Sequence, residues 1–125
     1  MDWIDDTVCV GNWIDVWNLD NLKSEKIDLI VDARVLFDQG LLGTNRVPIA
    51  DRVLRVADLL VAISEKKPKI MIRCRQGRDR APFVAMVYVS KKHGMSYREA
   101  YDLVKQKVHR TAYHWDWTKM LETPR

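Results

Sequence analysis

Apolar positions along this chain recur with two periods, and the periods alternate. Thr7 to Val10 (TVCV) is a short β-branched and apolar run closed by Gly11-Asn12, which reads as a strand ending in a turn. Asp15 to Lys23 then sets Val16, Leu19 and Leu22 at helical spacing and predicts one amphipathic helix. Asp28 to Ala33 (DLIVDA) is a continuous apolar run, the pattern of a strand covered on both faces of a parallel sheet. From Arg34 to Thr44 the period is lost around Gly40 and Gly43, which predicts a loop. Asn45 to Ile49 (NRVPI) reads as a short edge strand, because Pro48 has no N–H to give to a ladder.

The alternation continues. Arg52 to Glu65 places Val53, Val56, Ala57, Leu60 and Ile63 on one helical face, and Pro68 stops that helix. Lys69 to Arg73 (KIMIR) is a further buried strand. Pro82 suits the first turn of a helix that runs to His93 and ends at Gly94. Ser96 with Glu99 forms a capping box for a helix through about Val108, turning Ala100, Leu103 and Val104 inward. Tyr113 to Leu121 predicts a last helix. Strands alternating with helices predict an α/β sandwich with a central, mostly parallel sheet of four to five strands flanked by helices. No repeat or Gly/Ser/Pro linker divides the chain, so one domain over residues 1–125 is expected.

Composition changes this picture little. With 47% hydrophobic residues the 125-residue chain can fill a core, and 30% charged residues with no apolar run near the ~18 needed for a span argue against a membrane role. The opening MDWIDD is acidic where an export signal is basic, so a cytoplasmic location is expected. Cys9 and Cys74 are too few for a disulfide scaffold and are expected as free thiols. His93, His109 and His114 lack ligand-spaced partners, so neither metal nor other cofactor is expected, and the protein is expected to be a monomer. The tryptophans Trp3, Trp13, Trp17, Trp115 and Trp117 lie towards the two ends of the sequence and are expected to pack those ends together.

Charge is more informative in its distribution than in its sum. A net +4 is too small to suggest DNA as a partner. Between Lys66 and Arg80, however, Lys66, Lys67, Lys69, Arg73, Arg75, Arg78 and Arg80 face a single acid, Asp79, and such a segment suits an anion.

The chemistry concentrates in Cys74-Arg75-Gln76-Gly77-Arg78-Asp79-Arg80, between the predicted KIMIR strand and the Pro82 helix. A tight loop between strand and helix aims backbone N–H groups at one point, and the helix dipole favours negative charge there. Gly77 permits the turn, and the planar fork of Arg80 can hold two phosphoryl oxygens. The same dipole and arginines favour a thiolate at Cys74, and a thiolate facing bound phosphate is a nucleophile. Arg75, Gln76, Gly77, Arg78 and Asp79 are the expected substrate-binding positions, whereas Cys9, inside its apolar strand, is expected to be an inert core thiol.

Beyond this C-x5-R loop, three stretches carry a resemblance: Val8-Cys9-Val10-Gly11-Asn12, Val47-Pro48-Ile49-Ala50-Asp51, and His93-Gly94-Met95-Ser96 with Glu99-Ala100. Together they resemble the cysteine-based protein phosphatases, specifically the small dual-specificity branch, over nearly the whole chain. The resemblance implies a phosphocysteine intermediate at Cys74, transition-state binding by Arg80, a phosphorylated protein as substrate, and an upstream general acid at Asp51. Three positions depart from the family pattern. Arg73 precedes the nucleophile where His is usual, Ala81 follows Arg80 where Ser or Thr is usual, and Asp79 puts a carboxylate inside the loop. The cell-division-cycle phosphatases carry an acid at the position equivalent to Asp79, which makes Asp79 the second candidate for proton donor.

The leading expectation is therefore a metal-independent phosphatase for phosphotyrosine, with phosphoserine and phosphothreonine as further substrates. The alternatives are a phosphatase of the same fold acting on a non-protein anion, such as an RNA 5′-triphosphate or a phosphoinositide, or a phosphate-binding module of low turnover. A rhodanese-like sulfurtransferase is a fourth reading, but VPIAD has no role in that fold.

Overall fold

The structure, a computed structural model, describes residues 1–38 and 46–122. Its main sheet has four strands in the order β1 (Asp2–Trp3), β2 (Val8–Gly11), β6 (Ile70–Arg73) and β3 (Leu29–Asp32). β6 runs parallel to both β2 and β3, and only the short β1 is antiparallel. This is the α/β architecture with a mostly parallel sheet. The two central strands, β2 and β6, are buried at every position, as their apolar sequences require.

β3 departs from expectation. Its apolar run predicted cover on both faces, but the strand lies at the sheet edge and leaves Leu29 44% and Ile30 38% exposed. The predicted helix over Asp15–Lys23 is also two helices, α1 (Trp13–Trp17) and α2 (Leu19–Ser24), and neither buries a residue. Asn18 makes the break. Its side chain accepts the N–H of Asn21 at 3.1 Å, and this local bond competes with helix continuation and starts α2 instead. Asn12 and Asp15 cap α1 reciprocally.

After β3, a 3-10 turn (Ala33–Leu36) leads to β4 (Phe37–Asp38), which pairs antiparallel with β5 (Val47–Pro48) in a separate two-stranded ribbon. Part of the predicted loop, and Asn45 of the predicted edge strand, lie outside the described residues. α3 (Ala50–Ser64) starts two residues earlier than predicted and buries Val53, Ala57, Leu60 and Ser64, with Ile63 turned half outward. α4 (Arg80–His93) buries every residue from Arg80 to Val89, so it is the central helix of the core and not an amphipathic one. It packs on β2, β6, α3 and α5 (Tyr97–Lys107), and Gly94 ends it in the left-handed conformation, φ 64°. The Ser96–Glu99 capping box starts α5, which buries Ala100 and Val104, and α6 (Trp115–Glu122) closes the described chain.

The tryptophans do not pack the chain ends together. Trp117 is buried, but Trp13, Trp17 and Trp115 are 49%, 78% and 60% exposed. Asp2, near the start of the chain, pairs instead with Arg110 in the segment between α5 and α6, at 3.0 Å. Among the described residues no helix is long and apolar enough to cross a membrane.

Candidate active site

The segment from Cys74 to Asp79 connects the buried end of β6 to the first turn of α4. Because β6 is paired with β2, the loop lies against the turn that follows β2. The Cys74 N–H donates to the Gly11 carbonyl at 3.4 Å, and the Trp13 N–H donates to the Arg75 carbonyl at 3.0 Å. Gly77 has φ +63°, and a Cβ there would stand 2.9 Å from the Gly11 carbonyl oxygen and 3.1 Å from Arg110 Nη2. Any side chain at this position meets both a backbone penalty and a wall.

Cys74 is 2% exposed, and its sulfur accepts the N–H of Ala81, in the first turn of α4, at 3.4 Å. Arg80 is itself buried. Burial first, and then the neighbouring Arg46, press its guanidinium below its ordinary range, while negative charge on Cys74 pulls the other way. These groups surround a cavity of about 250 Å³ lined by Arg46, Cys74, Arg75, Gln76, Arg78, Asp79, Arg80 and Trp117. Four arginines around one cavity that also holds the Cys74 sulfur suit a phosphate-sized anion.

Behind the loop, Arg73 is buried and its Nη1 stands 3.3 Å from Asp32 Oδ2. Arg34 grips the same carboxylate at 2.8 to 3.2 Å. That hydrogen bonding, ahead of the opposing effect of burial, holds the Asp32 carboxyl below the usual carboxylate range. Arg73 thus reaches the end of β3, at the back of the site. Its Nε finds no partner among the described residues.

Cys74, Arg75, Gln76, Arg78, Asp79 and Arg80 therefore share one cavity, and Gly77 is buried in the loop that forms it. Asp51 does not line it. It is exposed in the first turn of α3, where a carboxylate suits the helix dipole, and Ile49 is the residue at the cap.

Arg46, Trp117 and His114 were not legible as site residues. Trp117 forms a wall of the cavity and meets Phe37 and Phe83 edge to face at 5.0 and 5.3 Å between ring centroids. His114 Nε2 lies 3.0 Å from Asp79 Oδ1. The HWDW stretch, His114 to Trp117, carries no spacing that points to the loop, and only the docking of α6 brings it there.

Comparison with known proteins points the same way. The family described as "Dual specificity phosphatase, catalytic domain" matches residues 10–122. Human dual specificity protein phosphatase 5 is 29% identical over 59 residues, and the match takes in 47% of this chain and 15% of that protein's length. The crystal structure of human DUSP28 superposes with a TM-score of 0.77 at 13% identity, covering 98% of this chain and 93% of that one. A leucine rich repeat and phosphatase domain containing protein from Entamoeba histolytica gives 0.76 at 13% identity, with coverages of 97% and 87%. Tk-PTP in its active form gives 0.75 at 18% identity, with coverages of 96% and 92%.

Proposed function

Because this chain belongs to the dual specificity phosphatase catalytic domain family, we propose that it is a metal-independent phosphoprotein phosphatase that works through a phosphocysteine at Cys74. One observation carries the proposal: the Cys74 sulfur sits in a cavity of arginines, beside buried Arg80 and against the N–H of Ala81. A phosphomonoester dianion binds with its oxygens on Arg80 and the loop. The Cys74 thiolate attacks phosphorus, an S–P bond forms, and the P–O bond to the substrate breaks with its electron pair going to the leaving oxygen. That oxygen takes a proton from a carboxylic acid. Water then attacks phosphorus and gives a proton to the resulting carboxylate, the S–P pair returns to Cys74, and phosphate leaves.

For the acid, the cavity lining supports Asp79 and the resemblance supports Asp51. Asparagine at the true donor should cost about 10²- to 10⁴-fold on aryl phosphates with poor leaving groups and little on activated ones. Asp79→Asn and Asp51→Asn, assayed on such a pair of substrates, assign the role.

The proposal as a whole is tested by mixing the protein with a tyrosine-phosphorylated peptide in chelator-treated buffer, quenching with acid, and mapping the phosphoryl adduct by mass. An adduct on the peptide containing Cys74 is expected. Turnover that persists in Cys74→Ser without an adduct would overturn the mechanism.

The cavity's arginines also favour a second reading. Arg46, Arg75 and Arg78 are exposed around buried Arg80, more cationic charge than one phosphoryl group needs, and they suit a non-protein anion such as an RNA 5′-triphosphate or a phosphoinositide. Comparing kcat/KM for these with a phosphopeptide, without metal, distinguishes the two. A binding module of low turnover would show phosphate-dependent binding with neither activity.

A further inference from the structure

His114 stands outside the catalytic loop in sequence and is held on two sides. Its Nε2 lies 3.0 Å from Asp79 Oδ1, and its ring is stacked on Trp117 with centroids 3.8 Å apart and planes inclined by 16°. Trp117 is buried and wedged between Phe37 and Phe83, so the imidazole rests on a rigid surface. Its partner Asp79 is the carboxylate lining the cavity, among Arg46, Arg75, Arg78, Arg80 and the Cys74 sulfur. A carboxylate in that place repels an incoming phosphoryl dianion, and it is compatible with one when it carries a proton.

We infer that His114 is the positioning residue for proton transfer by Asp79, an inference that rests on the phosphatase reading above. With the imidazole proton on Nε2, His114 donates to Oδ1 and leaves Oδ2 to hold the transferable proton. When the P–O bond breaks and its electron pair passes to the leaving oxygen, the Oδ2 proton goes to that oxygen. Asp79 becomes a carboxylate and the same Nε2–H stabilises it. In the second half-reaction the attacking water returns a proton to Oδ2 as the S–P bond breaks. His114 is the orienting donor. It fixes which carboxyl oxygen faces the chemistry.

This role has a signature that a purely structural role lacks. His114→Phe keeps an aromatic face on Trp117 and removes the donor, whereas His114→Gln offers an amide N–H in place of Nε2. For phenyl phosphate, whose leaving group needs a proton, His114→Phe should lower kcat/KM roughly tenfold or more. For 2,4-dinitrophenyl phosphate, whose leaving group departs as the anion, it should change it less than about threefold. His114→Gln should recover most of the loss, and His114→Phe in an Asp79→Asn background should add nothing, because the two residues act as one unit. An equal loss on both substrates, or a full additional loss in the Asp79→Asn background, would overturn the inference. Should His114→Phe fail to fold, His114→Leu takes its place: an unequal loss on the two esters supports the inference and an equal loss or none overturns it. Failure of the phosphatase reading looks different, since the wild-type protein would then turn over neither ester.

Discussion

Cys9 lies on β2 and Cys74 just past the end of the neighbouring parallel strand β6, and the two are almost equally hidden, at 0% and 2% exposure, yet their surroundings are opposite. Cys9 is in the middle of β2, level with Met71 of β6, and burial pushes its thiol up to about 12. Cys74 is one residue past the end of β6, where the sheet stops and α4 begins, and its sulfur receives a backbone N–H with Arg80 close by. With Cys74 as the nucleophile proposed above, burial does not decide which thiol reacts. What decides it is whether the chain leaves the sheet towards a helix N-terminus, where N–H groups and guanidiniums replace the apolar wall.

The largest break in this comparison comes from exchanging the nucleophile. Cys74→Ser should abolish phosphate ester hydrolysis, by several orders of magnitude, while retaining phosphopeptide binding, and Cys9→Ser should leave kcat/KM within a few fold. Iodoacetate should alkylate Cys74 in the folded protein, phosphate or vanadate should protect it, and Cys9 should react only on unfolding. Mapping the alkylated peptides checks this directly. Labelling of Cys9 at the rate of Cys74 would remove the distinction.

Next in size is the clamp. Arg80→Lys keeps the positive charge and loses the planar fork, and should cost about 2 to 4 kcal/mol of transition-state stabilisation, read from kcat/KM. Because Arg80 is buried in the first turn of α4, a melting curve should accompany the kinetics. Activity close to wild type would show that Arg46, Arg75 and Arg78 suffice.

How far the sequence reveals this site depends on how local each part is. The strand, loop and helix around Cys74 are contiguous, and Gly77, Pro82 and Gly94 mark their turns and ends through backbone preferences that act within a few residues. The two-period pattern conveys the α/β class for the same reason. Asn18 is also local, but an apolar period runs across it, and the period hides a residue that caps better than it continues. The edge position of β3 is not local at all: DLIVDA reads as interior because its neighbours are decided by strand order, which the run itself does not encode. Arg46, His114 and Trp117 are further cases. Arg46, just before β5, and Trp117 of α6 line the cavity, His114 meets Asp79 from just before α6, and no spacing relates the three to Cys74.

A smaller effect sharpens the contrast from the side of Cys74. Ala81 is fully buried and offers the sulfur its backbone N–H but no hydroxyl. A hydrogen bond to a departing thiolate is worth about 1.5 to 3 kcal/mol, so breakdown of the phosphocysteine should limit turnover. Rapid mixing should show a burst close to one enzyme equivalent, with steady-state rates nearly independent of leaving group. Ala81→Ser should raise the steady-state rate and shrink the burst. No burst in the parent together with no gain in the variant would make the first step limiting.

The smallest effect belongs to Cys9 and concerns stability alone. Its folded-state pKa is raised by burial from 9.0 to about 12, so the folded protein keeps the thiol protonated where the unfolded chain has released the proton. The resulting stabilisation is fully present below pH 9 and is lost as pH rises from there towards 12. Removing the thiol removes that loss. Cys9→Ala should be less stable than the parent at pH 7 by about 1 kcal/mol, for the small void it leaves between β2 and its neighbours. Its stability should then fall less steeply than the parent's between pH 9 and pH 10.5, as urea midpoints measured at each pH would show. Identical alkaline slopes for the parent and Cys9→Ala would mean that burial in the middle of the sheet does not hold this thiol protonated.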